Sequence, residues 1–515
     1  MCERGRLGLP QPTGVFCPLA VPSTVTSRAA TRGGTRGRER RDTPPVDRGS
    51  ETSGRSIRVA TTGRIEPKHR RTNMSPRIAR TLALSAATAI LLAGCAPEPD
   101  PAADEPTTVT FRLWDETVAA SYEESFDAFE ETHPDIDVQV NVVDWEDYWT
   151  DLRTDIADQT MDDLFWVNNS YFGAYADAGS LVNVDDVLGE TAKDAWEPSV
   201  VDQFTRDDSL WGVPQIYDAG IAVYYNTAMV EAAGLTPEAL EDLTWSPDPE
   251  EDTYTEAART LTLDSSGRAA GTEGFDPAAV SQYGTNLAYD LQAILLPFIG
   301  SNGGEFQDGE DFVFADDEKA TEAISYLVSK IRSDHVAPDP AETSADGDFS
   351  RDAFIDGRMA MFQSGLYNLK NVQAGADFDW GVAMIPSGPA GQVSVTNGVV
   401  AAGNAASENQ DAIAEVLEWL GTEEGAAPLG ESGAAVPGVT DAQSTFFDYW
   451  EGEGVDVDPF FDVVGDDTIP SPTGPDFAKA FAEYDPIVRS VFEGGVTVED
   501  GLRAAQDAAN SALAG

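Results

Sequence analysis

The sequence predicts an α/β fold with mainly parallel sheets, and three observations carry that reading. From Val109 onward, short β-branched and aromatic runs alternate with apolar stripes at helical spacing. The chain beyond Cys95 is long enough for two domains of ordinary size. The expected strands end in aromatic–polar pairs, the residue types that a cleft wall needs.

Residues 109–114 (VTFRLW) read as the first strand. Tyr122, Phe126 and Phe129 then share one helical face. His133-Pro134 stops that helix, because the residue before a proline is pushed out of the α region. Residues 136–142 alternate as a second strand, Tyr148, Leu152 and Ile156 form a stripe at intervals of four, and 163–167 (DLFWV) read as a third strand. Strand–helix–strand–helix–strand order implies right-handed crossovers and a parallel sheet covered on both faces. Ligands of such sheets sit beyond the carboxyl ends of the strands, here Trp114-Asp115, Asp144-Trp145 and 166–168 (WVN).

A less regular stretch runs to 212–218, followed by a strand at 221–226 and a helix from Thr227. Residues 244–274, rich in Pro, Asp, Ser and Gly, suit exposed turns around a short helix at 253–263. Residues 291–299 read as a buried helix, 312–314 as a short strand and 316–332 as an amphipathic helix. A helix within 352–362 turns at Gly357 into a strand, and 380–385 and 398–402 are further strands. Helices at 407–421, 475–493 and 497–513 close the chain, and no internal repeat is visible.

Ahead of this body, 74–95 (MSPRIARTLALSAATAILLAGC) has the layout of a secretory signal: Arg77 and Arg80, an apolar run, then small residues. Ending on Cys95, it resembles a bacterial lipoprotein signal, which implies cleavage before Cys95 and a lipid on its thiol. The run is short for a ~20-residue membrane span. Residues 1–73, rich in Arg, Gly, Thr and Pro, lack the apolar periodicity that would offset the entropy of ordering; because a signal normally sits at the very N-terminus, translation is expected to start at Met74, the alternative being a disordered basic arm that binds nucleic acid or membrane. Residues 95–106 form a Pro/Ala/acidic tether.

Across the chain 32 Lys+Arg stand against 90 Asp+Glu, a net charge of −58. The two signs are segregated: 17 basic against 6 acidic residues before Cys95, and 15 against 84 from there on. A body that negative repels nucleic acid and anionic lipid, so nucleic-acid binding is excluded. Cys2 and Cys17 precede the expected start and Cys95 is the expected lipid site, which leaves no cysteine for a disulfide, zinc cluster or thiol nucleophile. No metal or cofactor is expected. Membrane attachment is expected through the lipid alone.

Aromatic faces suit the C–H faces of sugars, while Asp, Asn and Gln make paired hydrogen bonds to neighbouring hydroxyls. The loops after the strands combine both types, giving Trp114, Asp115, Asp144, Trp145, Asn168, Tyr171, Tyr217 and Asp218 as candidate ligand residues, with Tyr289, Asn302, Tyr367 and Asn397 later in the chain. Trp166 and Tyr225 lie within strands and fit the core better. Trp114, Trp145, Tyr217 and Tyr367 fit either a cleft wall or the core. A glycoside hydrolase would need two carboxylates ~5–10 Å apart, and an acid-rich chain always offers some pair. No Ser-centred elbow, phosphate loop or HExxH helix occurs. A polyamine would also suit acids and aromatics.

Several segments together resemble the extracellular solute-binding lipoproteins of ATP-driven sugar importers, of the maltodextrin and multiple-sugar type. They are the opening VTFRLWD with Phe126, Phe129 and His133-Pro134, then DLFWVN at 163–168, Tyr224-Tyr225-Asn226 and Gly303-Gly304-Glu305 before a helix. Gly357-Arg-Met-Ala-Met-Phe, Ser364-Gly-Leu-Tyr367 and the final helix pair complete the set. Where that family usually carries Gly-x-Trp, this chain has Gly365-Leu366-Tyr367. The resemblance implies a two-lobe periplasmic-binding-protein-like fold with its ligand cleft at the hinge. The first lobe would comprise 107–215 plus 403–445 and the second 216–402 plus 446–515, with crossings near 216–219, 402 and 445. It further implies a monomeric, non-catalytic carbohydrate receptor on the outer face of a bacterial cytoplasmic membrane, delivering to the permease subunits of an ABC importer.

Overall fold

The computed structural model describes residues 106–345, 347–464 and 468–514. The signal-like stretch, Cys95 and the tether up to residue 105 lie outside the described residues.

The first lobe opens as the periodicity predicts. Strand β1 (Thr107–Leu113) leads into helix α1 (Glu116–Thr132), then β2 (Ile136–Val142), α2 (Trp145–Asp158), β3 (Leu164–Asn168) and the short α3 (Phe172–Asp177). Asp115 starts α1 by accepting from the backbone N–H groups of Thr117 and Val118 at 2.8 and 3.3 Å, satisfying donors that have no partner within the helix. Strand β4 (Val213–Asp218) leaves this lobe, and β5 (Ile221–Asn226) opens the second. There follow α4 (Glu318–Arg332), β6 (Met361–Gly365) and β7 (Trp380–Ala383). Strand β8 (Asn397–Gly403) and α5 (Gln410–Leu420) return to the first lobe, and α6 (Phe477–Phe492) and α7 (Val498–Leu513) close the second.

The sheets are mixed rather than mainly parallel. The first has the order β2-β1-β3-β8-β4, with β1 parallel to β2 and β3 but β8 antiparallel to both its neighbours. The cause is the crossing. Strands β1, β3 and β4 run towards the cleft, whereas β8 starts at the cleft on its way back and must run the other way. The second sheet, β6-β7 flanking β5, is antiparallel throughout for the same reason: β5 starts at the cleft and β6 ends there.

Three hydrophobic clusters fill the body. One lies under the first sheet around Phe111, Phe126, Trp166 and Val400. The second sheet is covered on both faces, as the alternation of β5 shows: Ile221 and Val223 enter a core with Trp245, Phe298 and Leu327, while Ala222 and Tyr224 enter one with Phe362, Trp450 and Phe460. Trp166 is in the core as expected, its Nε1 donating to Tyr122 Oη at 3.1 Å.

The buried helix expected at 291–299 begins instead as a π-helical turn, Leu291–Leu295, closed by Leu295 N–H to the Asp290 carbonyl at 2.8 Å. Pro297 supplies part of the reason. It has no N–H to give to Ala293 four residues back, and the Ala293 carbonyl accepts from Gln363 Nε2 of β6 at 2.7 Å instead.

Candidate functional site

The carboxyl ends of β1, β3 and β4 face the ends of the second lobe's elements across a groove. Trp114, just after β1, is the hub of an aromatic group. Its ring lies 4.8 Å from Trp166, 5.1 Å from Tyr148, 5.3 Å from Trp145 and 5.4 Å from Trp149. Trp145 remains 49% exposed at the start of α2. One turn on, Trp149 stacks flat on Tyr171, with centroids 3.9 Å apart and planes within 9°.

Tyr171 is where the lobes meet. It packs against the cores of both, and its ring stands edge-on to Phe477 of α6 at 5.3 Å. A side-chain carbon at Gly173 would touch the Gly474 backbone at 3.7 Å, so this rim of the groove is closed.

From the β4 end, acidic and aromatic side chains close enough to act on one another electrostatically extend to α6. Burial first, and then the neighbouring Asp115 charge, push the Asp218 carboxyl up to about 7. Asp115 is itself raised by burial, against the two backbone hydrogen bonds that lower it. Asp218 in turn is felt by Tyr367, which also feels Asp290, and Asp290 feels Arg489. Arg489 donates through Nε to Asp485 at 2.7 Å and lies over the Tyr289 ring at 5.0 Å. Burial first, then the neighbouring Tyr175 and Asp485, push the Tyr171 hydroxyl up to about 12.

Tyr367 keeps 39% of its surface open, yet burial raises its hydroxyl pKa strongly. Asp290 is likewise exposed and likewise raised by burial. The two facts agree for a group on the wall of a concave groove, where solvent reaches one face and protein crowds the others. Gly365 makes room for this ring, since a Cβ there would fall 2.1 Å from Tyr367 Cε1.

The structure thus brings Trp114, Asp115, Trp145, Asn168, Tyr171, Tyr217, Asp218, Tyr289 and Tyr367 towards one groove. Tyr217 sits at the hinge, packed on the first core and, at 6.3 Å, on Phe461. Three other expected residues are engaged with the protein or stand apart. Asn302 donates to the Lys319 carbonyl and to Glu322, at 2.8 and 3.0 Å, within the second lobe. Asn397 donates to Gln292 and accepts from Ser471 Oγ at 2.8 Å, tying the start of β8 to the second lobe. Asp144 is an exposed N-cap of α2 that makes no capping bond. Sequence reasoning missed Trp149, Asp290, Asp485 and Arg489. Trp149 carried a readable signal, being one helical turn beyond Trp145. Asp485 and Arg489, four apart on a helix, read as an ordinary surface ion pair. Two depressions of about 240 Å³ lie elsewhere, one beside Met161 and Asn404 and one beside Tyr283 and His335. Neither contains a groove residue.

Two lobes joined by crossing strands, with aromatic and polar side chains gathered at strand ends between them, define a binding protein of the hinged kind. Residues 114–427 match the family described as bacterial extracellular solute-binding protein, and this chain belongs to that family. Its members are solute-binding proteins of ABC transporters, not enzymes. The crystal structure of UspC from M. tuberculosis is 50% identical, the match covering 79% of this chain and 100% of UspC with a TM-score of 0.65. The ABC substrate-binding protein Lmo0181 from Listeria monocytogenes, solved in complex with cycloalternan, is 19% identical, covering 80% of this chain and 100% of its own, with a TM-score of 0.67. The GacH receptor of Streptomyces glaucescens, solved unliganded and with acarbose, is 21% identical over 79% of this chain and 98% of its own, with a TM-score of 0.65. At 19% and 21% identity the likeness speaks for the fold alone.

Proposed function

We propose that this chain captures a sugar or short oligosaccharide outside a bacterial cell and delivers it, chemically unchanged, to the permease subunits of an ABC importer. The observation that carries the reading is the juxtaposition in the groove. Open aromatic faces at Trp145 and Tyr367 belong to the same groove as side chains carrying buried polar atoms without partners, Trp149, Asn168, Asn169 and Ser170, and Trp145 stands 5.3 Å from Trp149. Stacking faces next to unsatisfied hydrogen-bonding groups are what a polyhydroxylated ring with apolar C–H faces requires. The bound cycloalternan and acarbose of the two distant relatives support that chemistry for the fold.

In this reading the protein is a monomer without catalysis, held at the outer face of the cytoplasmic membrane by a lipid on Cys95, with 95–106 as its tether. Cys95→Ser should abolish incorporation of labelled palmitate into the protein in cells. Thermal-shift measurements on purified protein against mono- and oligosaccharides test the binding function, with spermidine and chromogenic glycosides alongside. A raised melting temperature with a sugar and no turnover supports capture. The Asp115–Asp218 carboxyl pair favours one rival, a hydrolase, which glycoside cleavage would establish; a response to spermidine alone would make the ligand a polyamine.

A further inference from the structure

We propose that binding of a neutral sugar makes this protein take up a proton, held by the Asp115–Asp218 carboxyl pair at the hinge end of the groove, so that capture strengthens as the medium is acidified. This rests on the sugar-capture reading above.

The pair is built where two elements converge. Asp115 follows β1, and Asp218 ends β4, the strand that leaves the first lobe. Asp115 cannot turn away, because its Oδ1 accepts from the backbone N–H groups of Thr117 and Val118 at 2.8 and 3.3 Å. Asp218 is the free member. Among the described residues its carboxyl has neither a hydrogen-bond nor an ion-pair partner. Strand pairing sets the uncharged Asn397 opposite it.

Among the described residues, the groups around this carboxyl share its sign, are neutral at pH 7, or are engaged elsewhere. Asp115 is the like charge, with the exposed Glu116 beyond it. From the second lobe, Tyr224 of β5 and Tyr367 after β6 lie within electrostatic reach, and burial raises both hydroxyls so that they keep their protons. Asp290 acts on Tyr367, and Glu197 acts on Tyr217 beside Asp218. Arg489 is held by Asp485 at 2.7 Å and acts on Asp290. The pair therefore lacks a counter-ion, and its second ionisation is the reluctant one.

Both carboxyls remain partly open to water, and that water is what allows Asp218 to ionise near pH 7. A sugar laid along the groove displaces water and brings no charge. The doubly ionised pair then becomes harder to form, and the proton is held more tightly. The singly protonated pair also offers an O–H donor that the doubly ionised pair lacks. Both effects have the same sign. A proton bound more tightly in the complex adds affinity at low pH, and that affinity is lost as pH rises through the titration of Asp218.

The histidines do not share this place. Those of the described residues are His133 and His335. His133 stacks on Phe129 at the far end of α1, roughly 25 Å of helix from Asp115. His335 lines the depression beside Tyr283 and Arg332, which contains no groove residue. Neutral sugars do not titrate near pH 7 either.

The test is titration calorimetry on the purified protein with glucose, trehalose, maltose, cellobiose and maltotriose, repeated at one pH in buffers of different ionisation enthalpy. The slope of observed heat against buffer enthalpy counts the protons exchanged. Wild type at pH 7 should take up about 0.3–0.5 proton per sugar bound, and almost none at pH 5. If the covered pair holds its proton about tenfold more tightly, affinity at pH 5.5 should exceed that at pH 8.5 by about five- to tenfold. Asp218→Asn should show no uptake and a flat profile, binding at least as tightly as wild type at pH 8.5. Asp115→Asn should move the fall in affinity towards acid. A merely structural role for either residue would change affinity equally at every pH.

A zero or opposite slope in wild type at pH 7 overturns the inference without any variant needing to fold. Uptake undiminished in Asp218→Asn overturns it too, as does a wild-type profile in Asp115→Asn. All three results leave sugar capture standing. Failure of every neutral sugar to bind at pH 5.5 and at pH 8.5 removes the functional reading and this inference with it.

Discussion

Asp218 offers a direct reading of the groove's electrostatics, because burial and a like charge push its carboxyl from 3.8 up to about 7. The folded protein therefore keeps a proton that the unfolded chain releases between about pH 4 and pH 7. The stability this contributes is fully present below the unfolded pKa and is lost as pH rises through the folded one. A rise of about three units at ~1.4 kcal/mol each sets an upper bound of about 4 kcal/mol. Asp218 is half-buried, and solvent on its open side reduces the figure to about 1–3 kcal/mol. Asp218→Asn keeps the side chain's shape and removes its titration. In melts of ligand-free protein from pH 4 to 8.5, the two forms should coincide near pH 4, draw apart between pH 4 and pH 7 and keep a constant gap above it, with the variant the more stable. Unfolding about 400 residues carries an entropy of roughly 0.85 kcal/mol/K, so the separation should be about 1–4 °C. A constant offset across the pH range, or a variant that melts below wild type at pH 8, would refute the reasoning.

Substitutions at three further positions probe the groove from different sides. Asp115→Asn retains an oxygen to cap α1 but removes the charge beside Asp218, so the pH at which stability falls should move towards acid; Asp115→Ala should also lose about 1 kcal/mol of capping, read from urea midpoints. Gly365→Ala sets a methyl 2.1 Å from the Tyr367 ring and should cost about 1–3 kcal/mol, whereas Gly365→Ala with Tyr367→Ala should cost less than the sum of the two single changes. Arg112→Met strands Asp162 and Asp155, now held at 2.6 and 2.8 Å, and should cost about 3 kcal/mol in urea. Because Asp155 lies on α2, which carries Trp145 and Trp149, sugar affinity should fall in that variant too; an affinity identical to wild type would separate the Arg112 ion pairs from the groove.

The elements that could be read from the sequence were those whose period is local. Strands β1 to β3 and helices α1 and α2 follow from alternation, four-residue spacing and the His133-Pro134 stop, all within one or two turns of chain. Strand direction was not local. The antiparallel setting of β8 depends on its being the return crossing from the second lobe, a property of the path and not of its NGVVAAG sequence. The π-helical turn at Leu291–Leu295 depends similarly on Gln363, a partner seventy residues away, accepting the role that Pro297 gives up.

The groove divides along the same line. A single rule, that ligands gather at the carboxyl ends of strands, reached Trp114, Asp115, Asn168, Tyr171, Tyr217 and Asp218, because each lies at or just beyond such an end. It could not reach Asp485 and Arg489, which sit in the middle of a helix and acquire meaning only where α6 meets Tyr171. The first lobe's contribution is carried on strand ends, so its own pattern announces it. The second lobe's is carried on the π-helical turn and α6, whose charged residues resemble solvated surface until the other lobe arrives opposite them.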